Sequence, residues 1–117
     1  MAVILQPCGN KDARAHYNDT VMFPVPHDSV SSFLNETDND NLKDIYPDGM
    51  LKIWGVTPNN QGKWKKVEAG DITLFSKSGS IFASAVATYK IRNKPLAEKL
   101  WGLDAKGNAW EYIYFIA

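Results

Sequence analysis

The sequence predicts an α+β fold: a curled β-sheet or small barrel flanked by short helices. Three observations carry this expectation. About five or six short segments alternate apolar and polar residues, or run apolar, between clusters of Gly, Pro, Asn and Asp. About two or three short helical segments carry capping residues at their starts. The 117 residues show no internal repeat or low-complexity segment, and they suffice for one domain (1–117) whose core needs no disulfide or metal.

Residues 2–6 read as a first strand, stopped by Pro7 and Gly9. Residues 10–20 are polar and punctuated, without a clean period. Residues 21–26 are apolar but contain Pro24 and Pro26, which suits an edge or a loop. Asp28 can cap a short helix over 29–34, where Val30, Phe33 and Leu34 share a face. Residues 35–48 are acidic and Asn-rich and read as a surface loop or partly mobile insertion. Residues 50–56 form the next strand, and 61–67 one helical turn that places Trp64 beside Val67. Residues 72–75 are a short strand. Lys77-Ser78-Gly79-Ser80 then turns the chain into a strand over 81–89. Its Ile81, Ala83, Ala85, Ala87 and Tyr89 share one face, and the small alanines imply a closely packed neighbour. Asn93 caps a helix that starts at Pro95, runs through Leu96, Ala97 and Leu100 to Trp101, and ends at Gly102. The last strand spans 110–116, with Trp110, Tyr112, Tyr114 and Ile116 on one side and Glu111, Ile113 and Phe115 on the other.

Composition narrows the function. A hydrophobic share of 44% and a charged share of 22% are those of a globular protein. No apolar run approaches the roughly 18 residues of a membrane span, and the apolar start is too short for a signal peptide. Cys8 is the only cysteine, so a disulfide framework is excluded and the cytoplasm is the expected location. Net charge is zero, but it is unevenly spread. Up to Leu51, three basic residues oppose eight acidic ones, giving −5; from Lys52 on, ten oppose five, giving +5. The second half can therefore carry a basic face.

Catalytic signatures are missing. The sequence has no phosphate-binding G-x-x-x-x-G-K-[ST] loop, no G-x-G-x-x-G, no C-x-x-C and no H-x-E deaminase motif. Two histidines and one cysteine are too few for a zinc site, so no metal or cofactor is expected. Cys8 with His16, oriented by Asp12 or Asp19, is a conceivable nucleophilic pair, although a lone cysteine after a strand is more simply a small packing residue. The expectation is a non-catalytic protein.

What stands out is the aromatic set. Ile53-Trp54-Gly55-Val56-Thr57-Pro58 ends a strand on a large flat ring beside a residue without a side chain. Trp110 opens the last strand. Two such rings facing one gap would make a slot for a planar group. Trp101 follows the apolar face of its helix and reads as core, and Trp64 as a lid or edge packer. Trp54 and Trp110 border turns at strand ends, where pocket walls sit.

In order along the chain, Ile4-Leu5-Gln6-Pro7-Cys8-Gly9-Asn10, Ile53 to Pro58, Gly70-Asp71 to Phe75, Leu96 to Gly102 and Trp110 to Phe115 resemble the PUA-like superfamily, in its EVE/YTH-like branch. The resemblance covers nearly the whole chain. It implies a curled sheet or barrel that binds nucleic acid and holds a modified base in an aromatic pocket. Trp54 and Trp110 would be the pocket walls. Cys8, Gly9 and Asn10 would meet the base edge, with Gly55 and Thr57 beside the first wall and Trp64 at the rim. The first-strand loop lacks the lysine, serine and paired asparagines of YTH proteins, and Gly rather than Ser follows Trp54. The pattern is closer to the N-terminal modules of McrB-type, modification-dependent restriction proteins, in which a nuclease or NTPase is fused or partnered.

The implied work has a physical ledger. Flipping a base costs a few kcal/mol, and stacking on aromatic rings returns about 1–3 kcal/mol. A buried methyl adds roughly 0.8 kcal/mol. These nearly cancel, so phosphate contacts from Lys63, Lys65, Lys66, Arg92 or Lys94 would supply much of the affinity, with a salt dependence. The YTH-like cage slightly favours N6-methyladenine, and the EVE side of the resemblance points to 5-methyl- or 5-hydroxymethylcytosine. The alternatives are a PUA-like RNA-binding module and a small-ligand or protein-interaction domain.

Overall fold

The computed structural model describes residues 2–117. Six strands form a mixed sheet in the order β1-β4-β5-β6-β3-β2. They are β1 (Val3–Pro7), β2 (Val25–Pro26), β3 (Met50–Val56), β4 (Ile72–Lys77), β5 (Ser80–Arg92) and β6 (Tyr112–Ile116). The pair β1–β4 is parallel and the others are antiparallel. Among the described residues four α-helices flank the sheet: α1 (Lys11–Tyr17), α2 (Glu36–Ile45), α3 (Gln61–Lys66) and α4 (Lys94–Trp101).

The curl comes from β5. Its first half pairs with β4 and its second half with β6, and the register shifts between Ala87 and Tyr89. Such a bulge bends the strand and raises its twist. It also moves Tyr89 off the alanine face. Ala83, Ala85 and Ala87 pack with the cluster that holds Trp54 and Phe75, whereas Tyr89 packs with the opposite one. The sequence expectation that Tyr89 shares the alanine face is therefore corrected. Edge strands β1 and β2 stay unpaired on their outer sides, so the curled sheet does not close into a barrel.

Each face of the sheet has its own core. β6 is buried along its length. Tyr112, Tyr114 and Ile116 enter one cluster with Ile4, Trp54, Val56 and Phe75, while Ile113 and Phe115 enter the other with Leu51, Ile53, Leu42 and Leu96. That residues of β1 and β3 share one cluster, although three strands lie between them in the sheet, is the packing consequence of the curl. α4 begins as its sequence requires: the Asn93 side chain accepts from the Leu96 N–H at 2.9 Å.

Three segments depart from expectation. Residues 11–17, which lack a clean apolar period, are helix α1, because the Asn10 carboxamide caps it at 2.7 Å and Ala13 and His16 face the core. Residues 35–48 are not a loop. They contain α2, capped by Asn35 and buried at Leu42. Polar contacts dock it: Tyr89 donates to Asp38 at 2.6 Å, Asn41 donates to Tyr89 at 3.1 Å, and Tyr46 and Thr88 share a bond of 2.6 Å. The helix expected over 29–34 is two 3₁₀ turns, His27–Ser29 and Ser31–Phe33. The last strand starts at Tyr112, so Trp110 lies in the loop before it. No helix among the described residues is long and apolar enough to cross a membrane.

Candidate nucleic-acid interface

The curl leaves a cleft of about 630 Å³ where the end of β1, the start of α1, the end of β3 and the loop before β6 converge. That volume lies in the range of sites for small planar ligands, roughly 300–1,000 Å³. Trp54, Gly55, Thr57, Asn10, Trp110 and Lys63 all line it. Six residues singled out in the sequence, on four separate elements, thus meet at one place.

The rings do not form a slot. Trp54 and Trp110 meet edge-to-face, with centroids 5.5 Å apart and planes at 77°. They are 2% and 8% exposed. They form the floor of the cleft rather than two walls across a gap. The cause is their packing: Trp54 is also edge-on to Phe75 at 5.1 Å, and Trp110 is edge-on to His16 at 4.0 Å. Trp110 is pinned further, as its indole N–H donates to Asp104 at 3.1 Å. Asp104 organises the rim loop by accepting N–H bonds from Lys106 and Asn108, both 2.9 Å. Burial pushes the Asp104 carboxyl up, but the donors from Asn108, Trp110 and Lys106 outweigh it and hold the pKa below the usual value.

Gly55 is required for a reason other than leaving a ring bare. A Cβ there would stand 2.5 Å from the Trp110 carbonyl oxygen and 2.7 Å from the Trp101 ring. The glycine lets Trp101 pass beneath the cleft, where its indole N–H reaches Thr20 Oγ1 at 3.2 Å and its ring stacks on His16 at 5.2 Å. Trp101 is thus a support of the floor.

Other expected site residues lie elsewhere. Cys8 is fully buried in the core, and burial pushes its thiol up to about 11. It does not line the cleft and is no nucleophile, since a thiol needs a lowered pKa for that. His16, its proposed partner, is buried between two tryptophans, and that burial lowers its pKa against the opposing pull of Asp12, Asp19 and Asp104. Gly9 is exposed and off the cleft. Trp64 packs on Tyr112 at 5.1 Å and donates to the Ile113 carbonyl at 3.1 Å, under the Lys90 ammonium, so it is an edge packer.

The cations are dispersed. Lys63 reaches the Leu5 carbonyl from the cleft wall, and burial lowers its pKa. Lys65 and Lys66 are exposed on α3, and Lys94 on the first turn of α4. Arg92 is paired with Glu111 at 3.0 Å, which reduces what it can offer a phosphate. The cleft residues not expected at the site from the sequence include Gln6, Asn59, Lys106 and Asn108. The turn signal Asp104-Ala105-Lys106-Gly107-Asn108 was the only local hint of the last two.

Sequence comparison matches the chain to no family and to no curated protein. Structural comparison does find a neighbour. The N-terminal domain of Thermococcus gammatolerans McrB bound to m5C DNA superposes with a TM-score of 0.71 over 99% of this chain and 72% of that one, at 15% identity. This protein has the fold of that McrB domain, as the PUA-like resemblance implied.

Proposed function

We propose that this chain is a non-catalytic recognition module for DNA carrying a modified base, which leaves the duplex and seats in the cleft over Trp54 and Trp110. The observation that carries this reading is convergence. Five residues expected at a base pocket (Asn10, Trp54, Gly55, Thr57 and Trp110) and Lys63, expected at the phosphate backbone, line one cleft, in a fold whose neighbour was solved with methylated DNA. That neighbour's DNA carries m5C, so 5-methylcytosine replaces N6-methyladenine as the favoured base. Because the tryptophans form a floor, the base packs on their exposed edges rather than between two parallel rings. Affinity then leans on phosphate contacts, for which Lys63 and Lys106 line the cleft and Lys65 and Lys66 are exposed on α3. A module of this kind works in the cytoplasm by bringing modified DNA to a nuclease or NTPase in the same or a partner chain.

The test is a competition among matched oligonucleotides bearing cytosine, 5-methylcytosine, 5-hydroxymethylcytosine or N6-methyladenine, as DNA and as RNA, at two salt concentrations. The expected result is preference for 5-methylcytosine DNA, by about fourfold from methyl burial alone, with binding that weakens as salt rises. Equal binding to all four bases would remove the base-reading claim, and preference for RNA would favour the RNA-binding alternative.

A further inference from the structure

A strand with one face in the core normally turns polar residues outward. The half of the sheet made by β1, β4 and the first part of β5 does not. Its inner face, with Ile4, Phe75, Ala83 and Ala85, packs in the cleft-side core. On the outer face the register sets Val3, Ile72 and Val86 in one row across the three strands, and Leu5, Leu74 and Ser84 in the next. A third row holds Pro7, Ser76 and Ile81. None of the nine positions is charged. Val3, Leu5, Ile81 and Val86 are 62%, 49%, 56% and 42% exposed, and none of them enters either core cluster. Over β3 and β6 the same face is covered by α2 and α4, through Leu42, Leu96 and Ala97. Over β1 and β4 it stays open to solvent. Contiguous exposed apolar surface of this kind marks an interaction site.

We infer that this face is a contact between two copies of the chain, stacked sheet on sheet about a two-fold axis. Charge argues for a second copy. The net charge is zero, so copies are not held apart by repulsion. An uncharged face is also its own complement, as an isologous contact requires. With the axis running across the strands, the two β4 strands lie antiparallel. The end of β4 that carries exposed Lys77 then lies over the end that follows exposed Glu68 in the other copy, and symmetry makes that pairing twice. Three strands about 4.8 Å apart, with five residues of about 3.3 Å each, give a face of roughly 14 Å by 17 Å, or about 240 Å². A standard stable interface buries about 800 Å² per partner, so the dimer is weak and forms at high local concentration. The cleft floor belongs to the opposite face of the sheet, so both copies keep their clefts open.

The test is sedimentation equilibrium of the chain without DNA, from micromolar to millimolar concentration. The weight-average mass should rise reversibly from monomer toward dimer and never beyond. Ile81→Lys and Val86→Lys each bury an unpaired charge in the contact and should stay monomeric throughout. Both positions are exposed in a single copy, so their melting temperatures should match wild type at low concentration, and either variant carries the test if the other misfolds. Phe23→Lys, which adds the same charge at an exposed apolar residue outside this face, should associate as wild type does. Wild type that is monomeric at every concentration overturns the inference, as do folded Ile81→Lys and Val86→Lys proteins that associate like wild type. Growth past the dimer overturns the two-fold contact. Wild type that stays monomeric but sediments with phosphatidylglycerol vesicles also overturns it and gives the face to a lipid surface. No readout uses DNA, so the inference and the proposed function fail separately.

Discussion

Trp54→Ala is expected to cost about 3–5 kcal/mol of folding stability, the range for truncating a buried large aromatic. Trp54 is among the largest fully buried side chains, with ring contacts to Phe75, Trp110 and Tyr17 on three separate segments. Its loss opens a cavity where the first cluster meets the cleft. Such a variant reports on the core before it reports on the ligand. Trp54→Phe separates the two. It keeps a ring in the cluster and deletes an indole N–H that has no partner in the protein, so it should stay folded. Its binding to 5-methylcytosine DNA should still fall, because a phenyl ring leaves a smaller floor under the base than an indole does. Urea denaturation of both variants, with binding measured on the folded one, checks the pair of claims. A Trp54→Ala protein as stable as wild type would show that the ring is not part of the core.

Gly55→Ala should destabilise by about 1–3 kcal/mol or more, as overpacking does. Neither obstacle yields easily. The Trp110 oxygen at 2.5 Å belongs to backbone, and the Trp101 ring at 2.7 Å is held by Thr20 and His16. Relief requires the loop before β6 to move away from β3, which would shift Trp110 and the rim that Asp104 organises. Both stability and DNA binding should therefore drop together in Gly55→Ala. Gly62, where an added Cβ meets nothing within 4 Å, is the control. An unchanged denaturation midpoint for Gly55→Ala would contradict the close approach of β3 to Trp101.

Much of this architecture was legible because local signals agreed with tertiary ones. Alternation along β6 named both of its faces, and Asn93 and Pro95 marked the start of α4. The Trp54-Gly55 pair marked the cleft, although for a different reason: the glycine accommodates Trp101 beneath, not a ligand above. What escaped was set by tertiary contacts. α1 buries only Ala13 and His16, and α2 only Leu42, so neither has the apolar stripe that reveals a helix. The shift of Tyr89 depends on a bulge that alternation cannot foresee. The mutual angle of Trp54 and Trp110 follows from how Phe75 and His16 pack against them. Gln6 looked like any strand residue until the curl carried β1 over to β3.

The most direct measurement of the central claim uses the four tryptophans as reporters. Each indole N–H gives its own resonance in a nitrogen-15 correlation spectrum, and a 5-methylcytosine oligonucleotide can be titrated in while all four are watched. The account predicts that the Trp54 and Trp110 signals shift with saturation, because those rings floor the cleft, while the Trp64 signal, bonded to the Ile113 carbonyl away from it, stays in place. Binding that moves Trp64 and leaves Trp54 and Trp110 unmoved would contradict it and place the DNA on another face.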